Sequence, residues 1–313
     1  MNRVYLSKEI DPYYNVATEY QLLTEATNDT FLFLWQNNPT VIFGRNQNIF
    51  AEADINYLKT NNILPVRRFS GGGAVFQDLG NLNFTFITKE KNSNIEKYLT
   101  VIKNAVSSFN IDCSFSGRND LLSNGKKFSG HAYFTNDDNY LYHGTIMLDV
   151  NLDMLTKALT PSFLKLKSKG IDSVRSRVIN LKQVNKEVDK EKMVNALFDS
   201  FLNEFGDVEK PIIIDKESFK APMYNTIKND QWIYDESPQY SITIEKKVFD
   251  GNVSVSVDVE NGKIVNIKIL SDSILIYNYD KCEKKLINTE FKEDIIFNYI
   301  EKFMQDKYNK KDY

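Results

Sequence analysis

The chain has 313 residues, a formal net charge of -3, and 42% hydrophobic against 26% charged residues. That balance gives an ordinary globular protein of one or two domains with a packed core, and it excludes the basic excess expected of a nucleic-acid binder. Two distant cysteines (Cys113 and Cys282), two histidines, no run of 18 apolar residues and no signal-peptide core argue against a metal cluster, a membrane span or export, so a reducing, cytoplasmic setting is expected.

Residues 13–26 read as a helix with Ala17, Tyr20 and Leu23 facing inward. FLFLW (31–35) and TVIFG (40–44) read as strands joined by a turn at Asn37-Asn38-Pro39. A helix over 51–62 ends at Asn61-Asn62, and LPVRRF enters a glycine run as a strand. LNFTFIT (82–88) suits a strand, 95–109 an amphipathic helix, TIMLDV (145–150) a strand, 151–159 a helix before Pro161, and 187–205 another helix. Residues 206–240 have weak periodicity and read as a wrap or linker. Beyond them, YSITIEKKVF, NVSVSVDV and KIVNIKIL form a meander with turns at Asp250-Gly251 and Asn261-Gly262. Phe291, Ile295, Ile296, Tyr299, Ile300, Phe303 and Met304 make a helical stripe that could cover it. The expected organisation is a large domain over 1–240, including the wrap, and a small α+β domain over 241–313.

Three stretches carry chemistry. RRFSGGGAVF (67–76) places three glycines together after two arginines. Glycine costs about 0.5–1 kcal/mol in regular structure relative to alanine, so the run marks a sharp bend or a close approach. An anion-binding turn and a hairpin without a ligand both satisfy it; the Walker A pattern does not match. SGRNDLLSNGKKFSGHAYF (116–134) has a turn at Asn124-Gly125, which starts Lys127 on a returning strand among small and aromatic residues. Solvated turn lysines are the plain alternative. KLKSKGIDSVRSRVINL (165–181) gathers Lys165, Lys167, Lys169, Arg175 and Arg177 in an otherwise acidic chain, which suits either an anionic ligand or a solvated basic loop.

In this order, the three stretches resemble the lipoate–protein ligase A family: a lipoate-binding loop, a lysine motif and an adenylate-binding loop. HGTIMLDV and ALTPS also fit. The resemblance implies an α+β fold, with a large mixed-sheet catalytic domain of the biotin/lipoate-ligase kind and a small accessory domain. It implies activation of lipoate by Mg²⁺-ATP to lipoyl-AMP, then transfer to a lysine of a carrier domain. Lys127 matches the essential lysine and Arg68 the residue that holds the adenylate. Phe69, Ala74, Val75, Phe76, Gln77, Asn119, Asp120, Lys169, Gly170, Ser173, Val174 and Arg175 are expected along the ATP or adenylate. Ser70, Gly71, Gly72, Gly73, Asn81, Asn83, Gly130 and His131 are expected along the lipoate, with Asp120 as a Mg²⁺ contact. His143 reads as a structural residue or as one that supports the site from behind its lining. Many family members have histidine where this chain has Gln77, and glutamine cannot titrate near neutral pH. The implied partners are E2 subunits of 2-oxoacid dehydrogenases and the glycine-cleavage H protein, with lipoate or octanoate as the acid. Three alternatives stay open: a superfamily transferase working through a cysteine thioester, a lipoyltransferase fed with preformed lipoyl-AMP, and a binding paralogue without turnover.

Overall fold

The computed structural model describes residues 1–116, 120–159, 177–234, 242–260 and 263–310. Asn119, Lys169, Gly170, Ser173, Val174, Arg175 and the Asn261-Gly262 turn lie outside them.

Fourteen strands are described: β1 (Arg3–Ser7), β2 (Phe31–Trp35), β3 (Thr40–Phe43), β4 (Leu64–Arg67), β5 (Val75–Gln77), β6 (Asn81–Lys89), β7 (Ser114–Ser116), β8 (Asp120–Ser123), β9 (Lys126–Asn136), β10 (Asn139–Met147), β11 (Ile212–Ile214), β12 (Ile242–Val248), β13 (Gly251–Glu260) and β14 (Lys263–Ser271). Eight of them make one sheet in the order β11-β1-β2-β6-β10-β9-β8-β7. It is mixed: β1 runs parallel to β2 and β11, and the remaining neighbours are antiparallel.

Both faces of this sheet are covered. Phe33, Trp35 and Ile87 face a core shared with the helix Pro12–Thr24 and the small sheet β4-β3-β5. Leu34, Phe84 and Phe86 face a second core under the helices Ile95–Ser107 and Lys190–Phe205. Central strands buried on both sides need not alternate polar with apolar, and β6 is buried along almost its whole length. Asp11 starts the first helix by accepting the backbone N–H groups of Tyr13 and Tyr14, with proline in the first turn. The Asp11 carboxylate also takes Lys216 Nζ at 2.9 Å and the Tyr224 hydroxyl at 2.9 Å. The segment after residue 206 is therefore stitched back onto the sheet, contributing β11 and the short helices Tyr224–Lys228 and Asp230–Tyr234.

The meander β12-β13-β14 packs its Val253, Val255 and Val257 against Ile296, Phe297, Ile300 and Met304 of the helix Glu293–Lys310. This unit touches the large sheet's neighbourhood directly: Ser271 N–H donates to Asn46 O at 3.0 Å, and Gly72 N–H donates to Ser273 O at 2.7 Å.

Several local expectations change. The strands over 31–35 and 40–44 lie in different sheets, because the chain crosses between layers at Asn37, whose side chain is buried in a polar network. The helix over 51–62 is two short ones, Ile49–Glu52 and Ile55–Thr60, since Asp54 caps the second by accepting Tyr57 N–H. Strand β10 starts at Asn139, six residues before the expected 145. The β12–β13 turn is Phe249-Asp250, with Phe249 at φ 44°, and Gly251 already pairs with Val248. Ile295 is exposed and Phe297 takes its place in the core. Among the described residues, no helix is long and apolar enough to cross a membrane.

Candidate active site

One register row lays out the site. Trp35 on β2 pairs with Asn83 on β6, and Asn83 pairs with Thr145 on β10. The next strand continues it through Gly130, whose N–H approaches Thr145 Oγ1, and Gly130 pairs with Asp120 on β8. Alternate residues share a face, so these side chains point one way, toward the first helix and the small sheet. The space enclosed there is about 110 Å³. Its apolar wall includes Val16, Trp35, Ile42, Ala74, Val75 and Ala132, and its polar wall Lys127, Thr145, Gln77 and Asn83.

Lys127 reaches the cavity through two local devices. Asn124 (φ 51°) and Gly125 (φ 71°) form the two-residue turn between Ser123 and Lys126. The pairing then slips between Leu121 and Leu122, a bulge that leaves Phe128 as the extra residue on β9. Without the slip Ser129 would stand opposite Asp120; with it Gly130 does. A Cβ on Gly130 would come within 2.7 Å of Lys127 Nζ. The missing side chain is the room in which the ammonium folds over to Asp120 Oδ1, at 2.7 Å. Both side chains are about one-third exposed, so the pair is accessible from the cavity.

The glycine run serves the protein before any ligand. Arg68 is buried and spends its guanidinium on it: Nε on Ser70 Oγ, Nη1 on Ile42 O, and Nη2 on Gly71 O and Gly73 O. Burial pulls the Arg68 pKa down to about 10, opposed by the charge of Glu19, so it stays cationic at neutral pH. Gly72 has φ 88°, a region that favours glycine. A Cβ on Gly71 would sit 2.6 Å from Ile274 O, so the close approach there is the C-terminal unit's backbone. Arg67 points the other way. Its fully buried guanidinium donates to the carbonyls of Gly44, Arg45, Gln47 and Ile233.

Of the expected residues, Gly72, Gly73, Ala74, Val75, Gln77, Asn83, Lys127, Gly130 and His131 line the cavity together with Arg68. Phe69 lies in an aromatic stack with Tyr20 and Trp232, and Phe76 is in the core. Ser70 and Asn81 stand behind the wall, holding His143 Nε2 and Asn83 respectively. His131 follows Gly130 and therefore turns its ring to the opposite face. There it packs edge-on to Phe84 and bonds Tyr142 OH at 2.6 Å and Ser129 Oγ at 2.7 Å. Burial, with the charge of Lys127 adding to it, drives its pKa down to about 3.

Glu19, Trp35, His143 and Thr145 were not foreseen as lining residues. Glu19 Oε1 accepts from Thr85 at 2.6 Å and meets His143 Nδ1 at 2.8 Å. A glutamate inside a helical stripe reads as solvated from sequence; only its i, i+3 spacing from Val16 signals that it shares the inward face.

Among the described residues no three His, Cys, Asp or Glu side chains gather to hold a metal ion. Asp120 is a single carboxylate, already paired with Lys127. That donor set suits a Mg²⁺ carried in by phosphates, which takes one protein oxygen, and does not make a resident cage. The described cysteines are both free; burial pushes the Cys113 thiol up to about 11 and the Cys282 thiol up to about 12. Neither lines the cavity, which leaves a thioester route without a nucleophile at the site.

Residues 11–202 match the model of the lipoyl protein ligase A/B catalytic domain, and residues 237–312 that of the bacterial lipoate protein ligase C-terminus. The chain is 34% identical to lipoate-protein ligase A of Blochmanniella floridana over 299 residues, covering 92% of this chain and 89% of that one. It is 33% identical to lipoate-protein ligase LplJ of Bacillus subtilis over 304 residues, covering 93% and 91%. The crystal structure of P. falciparum LipL1 in complex with lipoate superposes with a TM-score of 0.79 at 31% identity, covering 96% of this chain and 94% of that one.

Proposed function

The chain belongs to the lipoate–protein ligase family, and on that premise we propose that it joins lipoate to a carrier protein in two steps, an ATP-dependent activation and a transfer, at the cavity beneath Lys127. The observation that carries this reading is the Lys127 ammonium, held by Asp120 and by the space over Gly130 at the polar wall of a slot whose opposite wall is apolar.

In the first step a lipoate carboxylate oxygen attacks the α-phosphorus of ATP. The bond from that phosphorus to the bridging oxygen breaks, and pyrophosphate leaves with the electron pair. Two anions must approach each other. A fixed cation between them offsets the repulsion and stabilises the charge that builds up on the phosphoryl oxygens. Lys127 is placed for this, and the buried charge of Arg68 supports it while fixing the glycine loop. The acyl chain lies against Val16, Trp35, Ile42 and Val75, where each buried CH₂ contributes roughly 0.8 kcal/mol. Asp120 would be the protein contact of a Mg²⁺ brought in with the nucleotide, which would supply neutralisation of phosphate charge.

In the second step the amine of a carrier lysine attacks the acyl carbonyl of lipoyl-AMP. The carbon–oxygen bond to AMP breaks, the amine gives up a proton, and the lipoyl amide remains on the carrier. Lipoyl domains of 2-oxoacid dehydrogenase E2 subunits and the glycine-cleavage H protein are the carriers this reading names. The test is the intact mass of such an apo carrier after incubation with this protein, lipoate and Mg²⁺-ATP. A gain of one lipoyl group that requires ATP is expected. No gain with ATP, but transfer from synthetic lipoyl-AMP, would replace the ligase reading with a transferase.

A further inference from the structure

We propose that the cleft between the large domain and the C-terminal unit is a second binding site, separate from the catalytic cavity, for a small polyvalent phosphate of the pyrophosphate kind. The site stands on its own residues. Only the choice of pyrophosphate, the leaving group of the activation step, rests on the ligase reading above.

The cleft holds about 430 Å³ against about 110 Å³ for the catalytic cavity, and the two share no lining residue. That is the size of a small-molecule site. Its walls come from both units. Arg45 and Asn46 belong to the loop that follows β3. Lys268 lies on β14, Asn278 and Asp280 at the approach to the helix Asp280–Leu286, and Lys307 on the helix Glu293–Lys310. The joint is anchored beside the cleft: Ser271 N–H donates to Asn46 O at 3.0 Å, and Asn46 Nδ2 donates to Tyr277 O at 3.1 Å.

Three cations from three elements converge on this space, and among the described residues one carboxylate, the exposed Asp280, lines it. Glu283 stands nearby but turns Oε1 to the Ile269 N–H at 2.8 Å. The Lys268 ammonium is 3.9 Å from that oxygen, too far for a hydrogen bond. Arg45 lays its guanidinium on the Trp232 ring, 4.7 Å from the centroid. A stack of that kind fixes the group by its face, while its N–H donors lie at the edge. Positive charge gathered in a recess raises the local concentration of anions.

Geometry chooses among the anions. A carboxylate is planar, and one arginine satisfies it in a fork. A pyrophosphate carries oxygens on two tetrahedral centres, so it can face an arginine on one wall and lysines on the others. The consequence is linkage. The cleft is whole only while the two units are together, so a ligand inside it favours this arrangement.

The experiment is calorimetric titration of inorganic pyrophosphate at one fixed ionic strength, without nucleotide, acid or divalent metal. Saturable binding is expected, and it should survive in Lys127→Ala, which disables the catalytic cavity. The paired variant Lys268→Gln/Lys307→Gln should bind roughly tenfold more weakly, the scale of a lost hydrogen bond to a charged group. Lys284→Gln/Lys302→Gln removes the same charge from exposed positions of the same unit. It should change affinity by less than about twofold, because distant exposed charges are screened. Asp280→Asn removes the lining carboxylate and should tighten binding about threefold, a gain that misfolding cannot imitate. Pyrophosphate should also slow hydrogen exchange at the Ser271 amide, which donates across the joint. No saturable binding, binding lost in Lys127→Ala, or equal losses in the two paired lysine variants would each overturn the site. A protein that binds pyrophosphate in the expected pattern but never lipoylates a carrier would overturn the ligase reading and keep the site.

Discussion

The glycine loop at residues 70–73 and the lysine hairpin at 120–130 face the same cavity but are held in opposite ways. The loop is over-determined. Arg68 fixes it from inside with three contacts while a fourth ties the guanidinium to Ile42 O, and the C-terminal unit seals it from outside through Gly72 N–H on Ser273 O. The hairpin leaves its lysine with one ion-pair partner and cleared space. The lesson is that a rigid wall and a movable charge are built from different materials. Buried donors on backbone carbonyls make the first, and a partly exposed pair over a missing side chain makes the second.

The sharpest way to break this contrast is Lys127→Ala. It should lower lipoyl-AMP formation by about 10³-fold or more, the scale of a lost electrostatic stabiliser, while the thermal midpoint stays within a few degrees, since an exposed ion pair contributes only about 0–1 kcal/mol. Pyrophosphate release and a melting curve on the same preparation would decide it, and adenylate formation near the wild-type rate would refute the role.

Gly71→Ala probes the other side. The new methyl meets the Ile274 and Ser273 carbonyls, which are backbone and cannot rotate away. We expect about 1–3 kcal/mol of destabilisation, typical of overpacking, read by denaturant unfolding. A neutral result would mean the C-terminal contact on the loop is slack.

A third contrast is one of pH. His131 folds neutral, with its pKa pulled from 6.5 down to about 3 by burial and the Lys127 charge. Between those values the unfolded chain binds a proton that the folded chain refuses, so stability must fall as pH drops below 6.5. Each unit costs up to about tenfold in the folding constant from this residue. His131→Asn should be less stable at pH 7 but show a shallower decline toward pH 4 in urea titrations; parallel curves would show that another group governs the acid limb.

Lys127 was legible in the sequence because Asn124-Gly125 dictates a tight turn and so the start of the returning strand. The slip at Phe128 was not, since a bulge has no signature in KKFSG beyond the glycine it exploits. The glycine run announced a close approach correctly, but sequence order could not say that a backbone about 200 positions away makes it. Least visible were the buried amide contacts among Asn15, Asn37, Gln77 and Asn83, which lie in the first helix, the connection after β2, β5 and β6; taken alone, an asparagine at such a place reads as a cap or a turn. His143 was expected to be structural, and it is tied to Ser70 and Glu19; that it also borders the cavity comes from the register row alone.

The carbonyl of Lys127 accepts the N–H of Ile179 at 2.9 Å, and at the other flank Asp54 N–H holds the carbonyl of Ala158. The basic stretch between those flanks is therefore clipped at both ends, one clip being the reactive strand itself. The chain that follows the bond at Ile179 is thereby tied to the strand that carries the ammonium, so loosening that tie would strain the reactive residue's own backbone.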